Sequence, residues 1–224
     1  MRRAAFKASV PVLFGYLPLG MAFGLLFSTL GYPWPYATLS GLVVFAGAAQ
    51  FLCVGLLAAH AGLKSIFLAT LFINLRHVFY GFSFIHRFPE RGWRKAYLIF
   101  TLTDETYSVL ATEKNPARAE DERFCLLVAA LNHSYWVAGC TLGALLGDNF
   151  HIETKGLDFV LTALFVVLTV EQALTVRRIF PFAVAAGAAA AALAVFPGQM
   201  LLASLSGVFV VLLWKSVRTD NVRA

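Results

Sequence analysis

Long apolar stretches separated by short polar or charged connections fill almost the whole chain. Most of them are long enough for a helix to cross the bilayer core of about 30 Å, which needs roughly 20 residues. The pattern therefore predicts an all-α polytopic membrane protein with about six to eight transmembrane or re-entrant helices, some of them broken. The stretches lie at roughly 9–31, 36–59, 64–86, 96–112, 123–147, 156–174, 179–196 and 199–215.

Composition supports the prediction of a membrane protein and argues for lipid, not nucleic acid, as its surroundings. Hydrophobic residues make up 59% of the 224 residues and only 13% are charged, against about 25% charged in soluble domains. The connections are too short for a separate soluble domain, so 1–224 is expected to be one integral membrane transport domain. The net charge of +6 lies in short loops and tails, which favours contact with the lipid bilayer and argues against nucleic acid.

The N-terminal apolar run resembles a secretory signal, because Arg2, Arg3 and Lys7 precede it. It is too long for a signal and has no small-x-small cleavage site at its end, so we expect it to remain as the first transmembrane helix.

The distribution of basic residues tests the topology, since short cytoplasmic loops are enriched in lysine and arginine. If the N-terminus is inside and all eight stretches cross, one dense basic cluster falls on the wrong side: Arg87, Arg91, Arg94 and Lys95. The conflict disappears if stretches 64–86 and 96–112 both enter and leave on the cytoplasmic side, as re-entrant or broken helices do. Both arrangements leave both termini cytoplasmic.

Polar residues near the middle of stretch 64–86 form the first candidate site. On a helix, Asn74 and His77 share one stripe, and Arg76 and Tyr80 share the neighbouring one. An arginine at this depth requires a polar cavity, a ligand or a buried partner. We expect all four residues to bind substrate and His77 also to carry a proton. An ion pair of Arg76 that only fixes packing, and a histidine that is only hydrogen-bonded, are the alternatives.

Gln50 is the second candidate substrate ligand and lies near the centre of stretch 36–59. The preceding Gly47-Ala48-Ala49 permits local unwinding or the close approach of a ligand, in which case the Gln50 amide would bind a polar group. The alternative is a hydrogen bond between helices, worth about 0.6 to 2 kcal/mol.

Asp104 and Glu105 interrupt stretch 96–112 and are acids of the type that proton-coupled carriers use. We assign them to proton coupling or to an ion pair, although a short interfacial stretch would also explain them. Asn132 belongs to a polar cluster at 132–136 and is the remaining candidate for substrate binding.

Small residues at four-residue spacing predict close helix pairing, within the chain or with a partner. They are Gly20 and Gly24; Gly139, Gly143 and Gly147; and Ala183, Gly187 and Ala191. Pro18 is expected to kink the first helix. Cys53, Cys125 and Cys140 show no metal-binding or disulfide spacing, and we expect them to be small core residues.

An enzymatic function is disfavoured. Ser134 beside His133 invites comparison with a hydrolase, but neighbouring residues on a helix point about 100° apart. No GxSxG elbow, HExxH motif or phosphate-binding loop occurs. We therefore predict a transporter without a cofactor or metal.

Several blocks of sequence together resemble the AzlC family. They are Gly15-Tyr16-Leu17-Pro18-Leu19-Gly20 with Ala22-Phe23-Gly24, Phe45-Ala46-Gly47-Ala48-Ala49-Gln50-Phe51, Asn74-Leu75-Arg76-His77 with Tyr80-Gly81, and the later Gly156-Leu157-Asp158-Phe159 and Thr162-Ala163-Leu164-Phe165. The resemblance extends from about Ala8 to Leu213.

This resemblance implies the large subunit of a bacterial branched-chain amino acid exporter, similar to YgaZ-type and BrnF-type proteins, which works with a separate small AzlD-type membrane subunit. It implies a multi-pass protein of the bacterial inner membrane that exports valine, leucine and isoleucine, with proton-coupled alternating access as our hypothesis. A passive channel or permease for another small solute, and a noncatalytic subunit that stabilises a partner, are the alternatives.

Overall fold

The computed structural model describes residues 1–85, 92–113, 115–119, 121–150, 179–196 and 203–211, with 166, 169–170, 173–174 and 200. Within these residues all regular secondary structure is helical, which confirms the all-α prediction. The helices are α1 (Arg2–Ser28), α2 (Trp34–Val43), α3 (Gly47–Ala58), α4 (Leu63–Ile85), α5 (Trp93–Phe100), α6 (Asp104–Ala111), α7 (Pro116–Ala119), α8 (Glu122–Phe150) and α9 (Phe180–Val195). Residues 203–211 are also helical, whereas most of stretch 156–174 lies outside the described residues.

Two of these helices, α1 and α8, are long and apolar enough to cross a membrane. They contain 27 and 29 residues and are therefore roughly 40 Å long at about 1.5 Å per residue. Shorter apolar helices occur at Gly47–Ala58, Leu63–Leu75 and Phe180–Val195. This set of helices is consistent with a polytopic membrane protein.

The backbones of α1 and α8 touch through glycine. A Cβ atom added at Gly139 would lie 2.7 Å from the Leu17 carbonyl oxygen, and one added at Gly20 would lie 3.0 Å from the Gly139 Cα. Added Cβ atoms at Gly24 and Gly143 would collide with the backbones of Cys140 and Met21. The prediction of close helix pairing is therefore confirmed for these glycines, and α1 remains helical through Pro18.

The stretch 36–59 forms two helices, α2 and α3, instead of one. The interruption covers residues 44–46 and so begins before the Gly47-Ala48-Ala49 run where unwinding was expected. Here Phe45 has φ 42° and Ala46 has φ −139°, values outside the helical region. The sequence therefore placed this break a few residues too late.

The stretch 96–112 is also broken, as the re-entrant alternative required, into α5 and α6. Thr103 is the N-cap of α6 and accepts a hydrogen bond from the Thr106 N–H at 3.3 Å. Asp104 and Glu105 occupy the first turn, where acids interact favourably with the helix dipole. The acids thus begin a new helix.

The same alternative is wrong for stretch 64–86. The described backbone is helical without interruption from Leu63 to Ile85, so the polar residues at 74–77 do not break it. The reason is that Lys64 to Tyr80 contains no proline or glycine, the residues that most often end or bend a helix.

The α2–α3 pair starts beside the C-terminal end of α8, runs to the middle of α8 and there reverses direction. The Trp34 N–H at the start of α2 donates to the Asp148 carboxylate at 3.0 Å, and Phe45 at the interruption lies against His133, with ring centroids 4.5 Å apart. Beyond the interruption, Phe51 of α3 contacts Phe23 of α1, with centroids 5.7 Å apart. Phe23 is nearer than Tyr16 to the end of α1 from which α2 begins, so α3 runs back toward that end.

The α5–α6 pair does the same from the opposite end of α8. Trp93 at the start of α5 lies beside Leu126 and Leu127, and Phe100 at its end contacts His133, with centroids 5.7 Å apart. The return helix α6 passes Asn132 through Thr106 and reaches a buried cluster near the start of α8. The cluster comprises Ala5, Leu98, Leu102, Leu110, Phe124, Cys125, Val128 and Ala129.

The chain packs as two compact units. The first contains Met1–His60 and Ile73–Asp158, and the second contains Ala61–Phe72 and Phe159–Ala224. Within the second unit, Phe72 and Phe209 are in ring contact at 5.8 Å. A Cβ added at Gly187 meets no described atom within 4 Å, whereas one added at Gly207 lies 3.8 Å from Ala188 Cβ. Among the described residues, the helix at 203–211 therefore approaches α9 beside Gly187 but not at Gly187 itself.

Candidate functional site

The two helix interruptions meet in the middle of the first unit, beside α1 and α8. The Phe45 ring, only 3% exposed, has its centroid 6.2 Å from Tyr16 and 6.3 Å from Phe100. Because Phe45 belongs to one interruption and Phe100 immediately precedes the other, these rings mark where the two hairpins converge. Phe45 also has a positive φ, a conformation that a bulky residue adopts only when its surroundings enforce it.

Gln50 connects the first interruption to α8. Its Oε1 atom accepts hydrogen bonds from Trp136 Nε1 at 2.9 Å and from the Ala46 N–H at 3.2 Å. Its Nε2 atom donates to Ser40 Oγ at 2.9 Å. Both polar atoms of the amide therefore form hydrogen bonds within the protein, as the alternative prediction of a hydrogen bond between helices required. These bonds support the non-helical backbone around Phe45.

Tyr16 connects α1 to the second interruption. Its hydroxyl donates to Glu105 Oε2 at 2.7 Å and lies 2.7 Å from Thr103 Oγ1. The Tyr16 ring is also in edge contact with Trp136, at a centroid distance of 5.4 Å. Glu105, predicted as a coupling residue, is thus placed at the convergence of the hairpins.

A chain of polar contacts continues from Thr103 to α8. Thr103 Oγ1 donates to Thr106 Oγ1 at 3.1 Å, and Asn132 Nδ2 donates to Thr106 Oγ1 at 3.1 Å. Asn132 is fully buried, and its Oδ1 atom has no hydrogen-bond partner among the described residues. A buried polar atom without a partner costs about 1 to 3 kcal/mol, so this oxygen calls for a functional explanation.

His133 lies one residue further along α8 and faces the aromatic part of the site. Its Nδ1 atom is 3.1 Å from the Tyr97 hydroxyl, and its ring contacts both Phe45 and Phe100. The site therefore combines a polar side, around Thr106 and Asn132, with an apolar side of aromatic rings. This is the combination that a small amphipathic ligand requires.

The structure brings together some of the predicted site residues. Gln50, Asn132 and Glu105 all lie around Tyr16 and Trp136, and Asp104 begins α6 beside them. Asn74 is on α4, as are Arg76, His77 and Tyr80, whose side chains lie outside the described residues. The substrate-binding role of all four residues, and the proton-carrying role of His77, remain predictions.

Sequence reasoning missed Tyr16, Thr103 and Thr106 as site residues. Tyr16 was visible only as a member of a sequence block, because nothing in its local pattern gives its distance to Glu105. The threonines carried a usable signal, since a threonine directly before two acids is a typical N-cap. Among the described residues, no group of three or more His, Cys, Asp or Glu side chains is arranged to hold a metal ion.

Fold and site together define an all-helical membrane protein with two interrupted-helix hairpins that meet at a buried polar site. The model of the family described as AzlC protein matches residues 11–150. The chain belongs to the AzlC family.

Relatives agree with this assignment. The chain is 36% identical to the "Branched-chain amino acid transport protein AzlC" of Bacillus subtilis (strain 168), across 89% of this chain and 79% of that protein. It is 39% identical to an "Uncharacterized membrane protein" of Helicobacter pylori (strain ATCC 700392 / 26695), across 75% and 74% of the two chains. It is 32% identical to "Inner membrane protein YgaZ" of Escherichia coli (strain K12), across 71% and 68%. No solved structure matches the chain.

Proposed function

We propose that this protein is the large subunit of a secondary transporter that exports branched-chain amino acids across the bacterial inner membrane. The main structural support is that two interrupted helices meet at a buried site with a polar and an aromatic side. Discontinuous helices at mid-membrane are the usual way in which transporters expose backbone groups to a substrate. The names of the Bacillus and Escherichia relatives support the substrate class and the inner-membrane location.

In the proposed chemistry, positively charged or amide groups bind the substrate carboxylate and apolar groups surround its aliphatic side chain. The carboxylate is bound by Arg76 or by backbone amides at the start of a broken helix, where the helix dipole is positive. Asn74, His77 and Tyr80 complete the site on α4. His77, Asp104 or Glu105 couples export to the proton gradient by alternating access. The aliphatic side chain requires an apolar pocket, which discriminates weakly because one methylene is worth about 1 to 3 kcal/mol.

The test measures valine, leucine, isoleucine and methionine in cells loaded with the corresponding dipeptides. Four strains are compared: without either protein, with this chain, with its small AzlD-type partner, and with both. We expect a lower internal concentration of the amino acids, and their faster appearance in the medium, only when both proteins are present. Unchanged efflux with both proteins confirmed in the membrane contradicts the proposed substrate, and efflux that does not saturate or ignores the proton gradient indicates a passive channel.

Replacing Arg76 tests the proposed carboxylate contact. Arg76→Ala should abolish export while the amount of protein in the membrane stays near that of the wild type, since its charge is assigned to the ligand. Arg94→Ala, at an exposed position in the first turn of α5, is the matched control and should export normally. Full export by Arg76→Ala places the carboxylate elsewhere, and failure to accumulate assigns Arg76 a structural role.

A further inference from the structure

The Asn132 amide is satisfied on only one of its two polar atoms. Its Nδ2 atom donates to Thr106 Oγ1, while the equally buried Oδ1 atom accepts from no described group. Turning the amide over would pair Oδ1 with the Thr106 hydroxyl and leave Nδ2 without an acceptor. In the orientation shown, the unused group is an acceptor, so the missing partner is a donor or a cation.

The chain of polar contacts that starts at the Asn132 amide consists of oxygen atoms and ends at a carboxylate, which favours a positive charge in this region. Thr106 Oγ1, Thr103 Oγ1 and Tyr16 Oη follow one another at 3.1 and 2.7 Å, and the carboxylate of Glu105 ends the series. The groups are oxygens from α1, the α5–α6 hairpin and α8, and they include one acidic side chain. Oxygen atoms of this kind bind both ammonium groups and hard metal cations.

We propose that Asn132, Thr106 and Thr103 form a subsite for a small cationic group, the α-ammonium of the transported amino acid. The inference rests on the proposed function and extends it, because it assigns the second charged end of the substrate. An ammonium carries three donors and no acceptor, so it supplies the donor that Oδ1 lacks, beside the hydroxyl oxygens of Thr106 and Thr103. Na⁺ shares this oxygen chemistry and is the other possible source of the charge.

The experiment measures thermal stability of the purified protein with its small partner in the presence of three ligands. Valine carries both charged groups, and 2-hydroxy-3-methylbutanoate has a hydroxyl in place of the ammonium. NaCl is compared with choline chloride at equal ionic strength. Valine-specific stabilisation assigns the subsite to the ammonium, and stabilisation by NaCl without amino acid assigns it to a metal cation. Equal stabilisation by valine and the hydroxy acid, without a sodium effect, overturns the proposal.

Asn132→Leu separates binding from folding. Leucine keeps the branching and the number of heavy atoms of asparagine but has no polar side-chain atom, so the folded variant should lose the ligand-dependent shift and at least tenfold in transport rate. A full shift in Asn132→Leu overturns the subsite. If that variant does not fold, Thr106→Val and Thr141→Val form a matched pair. Thr141 lies on α8 and bonds to Thr38, away from the subsite, so only Thr106→Val should lose the shift, and equal shifts in the pair overturn the proposal.

These outcomes also distinguish the subsite from the proposed function. If the wild type shows neither export nor an amino-acid effect, the proposed function fails, while the sodium comparison still decides whether the subsite binds a cation. If the wild type responds to valine and Asn132→Leu responds equally, the proposed function stands and the subsite is refuted.

Discussion

Gln50 shows what a single buried amide does at a helix interruption. Its oxygen accepts from a side chain of α8 and from the Ala46 N–H at the break, so one residue satisfies both a buried side-chain donor and a backbone donor that an unbroken helix would have paired itself. The sequence identified Gln50 as important but left open whether it binds substrate or another helix. The structure shows the hydrogen bond to Trp136, which is 86 positions away and cannot be read from neighbouring residues, while substrate binding by Gln50 stays a prediction.

Gln50→Leu should destabilise the protein, because it leaves the buried Trp136 N–H and the Ala46 N–H without their acceptor. Each loss is expected to be about 1 to 3 kcal/mol, measured as a lower melting temperature in detergent. The double variant Gln50→Leu with Trp136→Phe should recover part of the loss, since it removes the donor as well. A double variant whose loss equals the sum of the two single losses would show that the hydrogen bond is not made.

The interrupted elements were predictable to different degrees. The break in stretch 96–112 carried a local signal, because Thr103 and the two acids after it favour the start of a helix. The break near Phe45 carried a misleading one: the small residues at 47–49 suggested unwinding, yet they form the first turn of α3. The non-helical backbone falls on Phe45 because surrounding rings and Gln50 hold it there, which is tertiary information.

The glycine contacts between α1 and α8 give a test at the scale of elements. Gly143→Ala should destabilise the pair, because the added methyl collides with the Met21 backbone, and overpacking of this kind costs about 1 to 3 kcal/mol. Membrane abundance and melting temperature should both fall. Gly15→Ala is the control, since Gly15 is inside α1 with nothing within 4 Å, and alanine favours a helix by up to about 1 kcal/mol. Equal stability of the two variants contradicts the close contact.

The two hairpins predict a membrane topology that differs from eight full crossings. With a cytoplasmic N-terminus, we expect α1 to end outside, α2 and α3 to enter and return outside, and α4 to cross inward. Arg94 and Lys95 are then expected inside together with the start of α5, as the positive-inside rule favours. The eight-crossing arrangement instead places this basic cluster outside. The sequence could not choose between the two arrangements, because apolar stretches alone do not reveal which of them turn back within the membrane.

Labelling of single cysteines tests this arrangement in intact cells. In a chain with Cys53 replaced by serine, Tyr32→Cys and His60→Cys should react with a membrane-impermeant maleimide. Arg3→Cys and Arg94→Cys should react only after permeabilisation. All four positions are exposed, whereas Cys125 and Cys140 are fully buried. Labelling of Arg94→Cys from outside would support the eight-crossing arrangement. Labelling of Arg3→Cys from outside would show that the N-terminus is not cytoplasmic.

The glycine-mediated contact of α1 with α8 also limits how the protein can move. Helices that touch backbone to backbone cannot slide by a turn, because the side chains on either side of the contact would collide. If export follows the proposed alternating access, we therefore expect the α1–α8 pair to stay fixed while the hairpins move, because the hairpins contact this pair largely through side chains such as Tyr16 and Gln50. A covalent cross-link between α1 and α8 should consequently leave the transport cycle intact.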